Sequence, residues 1–177
     1  DKEENRIKEV KAVPQIGFET RKGADGKEWK TNAEEAIYVI ATLNCGAVGT
    51  LEATKICVGA NDDFTLEIFG TDGSLKFDLM QPNYLEFYDN KAVGAPIGGY
   101  KGYTRIECVN RLNDIIPDSV LPGMRAPIGW LQGHVNSMRN YFMCVYEGKT
   151  PSPSFADGAY VNEIMEEAKM TANKEAK

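Results

Sequence analysis

The sequence predicts an α+β fold, an open, mostly antiparallel sheet with helices packed on one face. Three observations carry this prediction. Runs with a strand-like period fill the first two thirds of the 177 residues. Short turns join those runs, which suits antiparallel neighbours, because parallel ones need long crossovers. Two stretches with helical period close the chain, and each must bury its apolar stripe on a neighbouring element.

The elements follow in order. Residues 6–15 carry Ile7, Val10 and Val13 and include Pro14, which places a first strand near a sheet edge. Gly23, Asp25 and Gly26 supply turn chemistry, so a mobile loop is expected there. Residues 35–44 put Ile37, Val39, Ala41 and Leu43 on one face and Tyr38, Ile40 and Thr42 on the other. Neither face is simply wet. Asn44-Cys45-Gly46-Ala47 then turns the chain into a β-branched strand over 48–58. Residues 64–69 and 75–79 alternate on either side of Gly70-Thr71-Asp72-Gly73-Ser74, a hairpin signal in which Gly is expected to supply positive φ. Residues 83–89 continue the meander. From 90 to 129 glycine and proline interrupt every pattern, leaving one candidate strand at 103–109. So long an irregular stretch suggests an interface arm or a pocket lid.

The first helix is predicted over 129–147, striped by Leu131, Val135, Met138, Phe142 and Val145, and stopped by Gly148 with Pro151 and Pro153 beyond. Ser154-Phe155-Ala156-Asp157 has capping-box spacing at the start of the second, which Val161, Ile164, Met165, Ala168 and Ala172 stripe.

Composition excludes several functional classes. The chain is 42% hydrophobic and 26% charged, too apolar for a disordered segment. A formal net charge of −6 argues against nucleic acid, which needs clustered cations. No apolar run approaches the ~20 residues of a membrane-spanning helix, so no membrane is expected as a partner. The charged lead of residues 1–6 has no apolar run behind it, so no signal-peptide pattern is present. The four cysteines are scattered and there is one histidine, a poor set for a metal. Reduced, mostly buried thiols in a cytoplasmic protein are expected.

Catalytic motifs are scarce. There is no Gly-x-Gly-x-x-Gly, and Gly148-Lys149-Thr150 follows a helix where a phosphate loop would open one. No nucleophile elbow occurs, and the single histidine has no adjacent carboxylate for a triad. Glu34-Glu35 and Glu166-Glu167 are adjacent carboxylates that point to different faces, so solvated positions are expected. His134 stands near the start of the first helix, where an imidazole can hydrogen-bond a substrate hydroxyl. Trp130 can pack on a sugar face, and Arg125 suits a carboxylate or phosphate. His134, Trp130 and Arg125 are therefore the candidate substrate-binding residues. Tyr100, Tyr103 and Arg105 form a fainter constellation of the same kind.

Three groups of residues carry a resemblance. They are Ile7-Lys8-Glu9-Val10-Lys11-Ala12; Ala47-Val48-Gly49-Thr50-Leu51-Glu52 with the run from Leu66 to Leu75; and the run from Tyr146 through Gly148-Lys149-Thr150-Pro151 to Asp157-Gly158. In this order the chain resembles, over nearly its whole length, the C-terminal domain of the Gfo/Idh/MocA (glucose-fructose oxidoreductase, inositol dehydrogenase) family. The resemblance implies a two-domain parent enzyme in which residues 1–177 form one substrate and oligomerisation domain. An N-terminal Rossmann domain, not present in this chain, would bind NAD or NADP. In such a parent, hydride passes between a sugar or cyclic polyol and the nicotinamide while a lysine-centred network moves the alcohol proton. The family's Glu-Lys-Pro and Asp-x-x-x-His motifs do not occur in this chain, so the resemblance assigns no catalytic or cofactor-binding position here, and the chain alone is expected to be inactive. It also implies a homo-oligomer contact through the open sheet face, which would cover the second apolar face of residues 35–44. Alternative readings are a free-standing, non-catalytic α+β dimerisation module and a carbohydrate-binding module built on Tyr84, Phe87 and Tyr88.

Overall fold

The computed structural model describes residues 3–94, 101–109 and 129–175. The described strands are antiparallel throughout, and two helices follow them. The chain divides into two compact units, one of Asp1–Gly59 with Ser152–Lys177 and the other of Ala60–Pro151.

In the first unit, β1 (Ile7–Gln15), β4 (Ala36–Leu43) and β5 (Val48–Thr54) form a sheet in the order β1-β4-β5. Pro14 is accommodated because β1 is an edge strand of this sheet, as its sequence predicts. The 44–47 turn closes with Leu43 donating to the Ala47 carbonyl at 2.8 Å. Helix α2 (Phe155–Glu175) lies along β1. Val10, Ala12 and Ala41 from the sheet and Ala168 and Ala172 from α2 form the buried core, with Ile7, Ile37, Val39 and Ile164 packed around it. Four of the five buried residues are alanines, so the helix and strand backbones can approach closely. The predicted stripe of α2 is narrower than expected: Val161 and Met165 are exposed. Tyr160 adds a polar tie, its hydroxyl accepting from the Ile7 N–H at 2.6 Å.

The expected capping box forms at α2: Ser154 N–H donates to Asp157 Oδ2 at 2.7 Å and Asp157 N–H to Ser154 Oγ at 3.3 Å. The turn expected at Gly23–Lys27 forms, Gly23 N–H donating to the Lys27 carbonyl at 2.8 Å, and it joins two short strands absent from the sequence reading, β2 (Thr20–Lys22) and β3 (Glu28–Lys30).

In the second unit, β6 (Thr65–Phe69), β7 (Gly73–Asp78), β8 (Tyr84–Asp89) and β9 (Thr104–Glu107) form a four-stranded meander. Its hairpins fall where the sequence places them. The role expected of Gly73 needs correcting, however. Gly73 is the first residue of β7, and a Cβ there would collide with the Tyr88 carbonyl oxygen, so this glycine serves close strand approach. Helix α1 (Trp130–Glu147) ends at Gly148, which sits at φ 65° and directs Lys149 N–H to the Cys144 carbonyl at 2.8 Å. Leu131, Val135, Met138, Phe142 and Val145 of its predicted stripe are all exposed.

The cysteines also differ from expectation. Cys45 and Cys57 are exposed and Cys108 and Cys144 intermediate, all four free. Cys45 falls in a hairpin turn and Cys57 in the loop after β5, positions that cannot be internal.

Candidate functional site

The β6–β9 meander is amphipathic in an unusual way. Register places Leu66, Ile68, Leu75, Phe77, Leu85, Phe87 and Ile106 on one face. The other face carries Glu67, Lys76, Glu86 and Arg105, aligned opposite one another on four successive strands. The signs alternate across the sheet. Period-two geometry puts Phe69, Tyr84, Tyr88 and Tyr103 on this same charged face.

A hollow of about 270 Å³ lies in this face, lined by Glu67, Lys76, Asp78, Gln81, Tyr84 and Arg105 among others. Lys76 Nζ donates to Glu67 at 2.7 Å and lies 5.0 Å from the centre of the Tyr103 ring. The Arg105 guanidinium lies over Tyr84, 3.8 Å from the ring centre, and donates to Gln81 Oε1. The hydrogen bond that Lys76 donates to Glu67 raises its pKa above the ordinary lysine value, with desolvation opposing. Lys76 is therefore a cation at every pH near neutrality and is unsuited to general-base work. The arrangement recognises charge and aromatic surface.

A second polar cluster lies in the first unit. Glu35 is only 8% exposed. It accepts from the Gly17 and Phe18 N–H groups, both at 2.9 Å, and from the Arg21 guanidinium. This overturns the expected solvated position for Glu35. Desolvation acts to raise its pKa, but the bonds from Arg21 and from the Phe18 and Gly17 amides outweigh it, and the carboxyl titrates below its ordinary value. Its role is to clasp the loop and hairpin of residues 17–30 to the β4 end.

The residues predicted to contact substrate fall differently. Positions 130 and 134 are one helical turn apart on α1, and His134 is exposed. Arg125 lies outside the described residues, as does Tyr100. Tyr103 and Arg105, the fainter constellation, belong to the charged face of the meander. The aromatic trio proposed for a carbohydrate-binding module is split, because Tyr84 and Tyr88 share one face and Phe87 projects from the other. The charge ladder was readable residue by residue in the sequence, but only pairing register reveals the alignment.

The start of α2 does not fit the pyrophosphate of a dinucleotide. Ser154 N–H and Ser154 Oγ–H both donate to the Asp157 carboxylate in its first turn, a negative charge that would repel phosphate. Lys149 follows the C-terminus of α1 and pairs with Glu147 at 2.7 Å.

Comparison with known proteins gives a consistent result. The family model described as "Oxidoreductase family, C-terminal alpha/beta domain" matches residues 6–177. A levoglucosan dehydrogenase of Pseudarthrobacter phenanthrenivorans is 26% identical over 157 residues, covering 89% of this chain and 39% of that protein. An oxidoreductase domain protein from Kribbella flavida superposes with a TM-score of 0.82 at 27% identity, over 97% of this chain and 44% of that one. A levoglucosan dehydrogenase solved with NADH and levoglucosan gives a TM-score of 0.82 at 24% identity, over 96% and 44% of the two chains, a likeness of fold. The chain thus spans less than half the length of these relatives. It belongs to the Gfo/Idh/MocA oxidoreductase family, matching the family's C-terminal α/β domain.

Proposed function

We propose that this chain is the substrate-binding and assembly domain of an NAD- or NADP-dependent oxidoreductase acting on a sugar or cyclic polyol. The nicotinamide would be bound by a Rossmann domain outside these residues. The observation that carries the reading is the match of the family's C-terminal model to residues 6–177. A levoglucosan dehydrogenase among the relatives favours sugars as the substrate class.

Within this reading His134 donates or accepts a hydrogen bond at a sugar hydroxyl. Trp130, one turn away, packs against the apolar face of the ring, and Arg125 orients polar groups at its edge. These residues bind and orient; proton transfer at the reacting carbon belongs to groups outside the chain. Self-association uses open sheet faces. On the face of the first sheet opposite α2, Tyr38 and Ile40 of β4 remain exposed.

The test is sugar-dependent reduction of NAD or NADP by the full-length protein across a panel of anhydrosugars, pyranoses and inositols. Turnover on at least one supports the reading; none on any contradicts it. His134→Ala should raise KM by about three- to tenfold, the loss of one hydrogen bond. Unchanged kinetics would remove His134 from the site.

A further inference from the structure

The charged lead of residues 3–6 is exposed to solvent, yet its backbone is tied down along its length. We infer that residues 3–7 form a fixed joint, with Tyr160 and Asn44 as positioning residues that set this domain against the cofactor domain. The inference rests on the proposed function, in which a Rossmann domain precedes this chain and the connection enters through these residues.

Two elements hold the joint. In the turn between β4 and β5, Asn44 N–H donates to the Arg6 carbonyl at 2.9 Å and Cys45 N–H to the Glu4 carbonyl at 2.8 Å. The Asn44 side-chain amide adds a bond to the Glu3 carbonyl at 2.8 Å. On α2, the Tyr160 hydroxyl accepts from the Ile7 N–H at 2.6 Å, and the Arg6 guanidinium lies over the Tyr160 ring, 4.8 Å from its centre. Arg6 also pairs with Glu3 at 3.4 Å. Tyr160 stands one turn before Ile164, on the stripe that Ala168 and Ala172 continue into the core. The joint is thereby mounted on the helix–strand contact that holds the first unit together.

Connections between domains are ordinarily polar and flexible, because few contacts cross to them. This one is as polar in sequence, but its two side-chain ties join residues 41 and 153 positions apart, so they form only in the folded domain. Hydride transfer in the proposed enzyme needs the nicotinamide and the sugar carbon in contact, and different domains hold the two. A misplacement of about 1 Å in such a geometry can cost on the order of 100-fold in rate. Tyr160 and Asn44 limit that misplacement by acting through the joint.

The full-length protein tests this with Tyr160→Phe, which removes the acceptor and keeps the ring, and with the Asn44→Ala/Tyr160→Phe double variant. Melting curves verify folding. Trypsin cleavage after Arg6 reads the joint independently of activity, and it should be about tenfold faster in the double variant, where two bonds no longer oppose local opening. The kcat for sugar-dependent reduction should fall by at least about fivefold, with the dissociation constant for NADH unchanged. Tyr160→Phe alone should move both readings in the same directions by less, and it decides the matter if the double variant does not fold. A merely structural role would lower the melting midpoint and leave kcat per folded molecule as in the parent. Cleavage at the parent rate, or faster cleavage with kcat unchanged, would overturn the inference. A parent protein inactive on every sugar and polyol tested would overturn the proposed function and with it the positioning role, while the cleavage comparison would still decide whether residues 3–7 are fixed.

Discussion

At the scale of single residues, Glu35 shows how poorly a sequence announces a buried charge. Its neighbour Glu34 and its position at the start of a strand suggest solvent. The three groups that satisfy it, Gly17, Phe18 and Arg21, lie 14 to 18 positions away, in a stretch whose turn residues suggested mobility. Glu35→Gln should lower the thermal midpoint at neutral pH, because a neutral amide cannot match a carboxylate that accepts from Arg21 and two amides. The pH dependence has a definite sign. A carboxyl with a depressed folded-state pKa stabilises the fold above its ordinary value of 4.5, and that contribution is lost as pH falls through the folded value. The gap between the parent chain and Glu35→Gln should therefore shrink in melts below pH 4.5. A gap that stays constant across this range would remove the carboxylate from the account. Gly73 carries a similar lesson. Asp-Gly correctly signalled a hairpin, but the need for glycine lies in the Tyr88 carbonyl across the strand pair, a partner that register alone identifies.

At the scale of elements, local signals were the most legible. The capping box at Ser154, the stop at Gly148 and the turns at 44–47 and 70–73 each depend on residues within a few positions, and each forms. Ser154→Ala should cost about 1 kcal/mol of stability, measured by denaturant unfolding, since it removes a helix cap. Long-range packing was less legible. The period of α2 correctly gave Ile164, Ala168 and Ala172, but it also included Val161 and Met165, because hydropathy does not tell how wide a stripe one strand can cover. Val10 is the largest fully buried side chain at the contact of α2 with β1. Val10→Ala should cost about 2 kcal/mol in the same measurement, from lost apolar burial plus the space left behind. A cost near zero would mean that α2 is not held against β1 as described.

At the scale of the whole molecule, the order of segments was more informative than any motif. No single run among Ala47–Glu52, Leu66–Leu75 or Tyr146–Gly158 is diagnostic, yet together they pointed to a family whose model spans residues 6–177. Function was less legible because the Glu-Lys-Pro and Asp-x-x-x-His motifs that the resemblance ties to catalysis do not occur in this sequence. The isolated chain should accordingly show no thermal stabilisation by NAD or NADP; a clear shift would place a dinucleotide site within it. In the proposed function this domain supplies walls of a sugar pocket in a nicotinamide-dependent enzyme. Hydrogen exchange on the full-length protein, with NADH and a turnover substrate against NADH alone, tests that claim most directly. Added substrate should slow exchange in peptides that cover residues 125–138. Substrate protection confined entirely to peptides outside these 177 residues would contradict it.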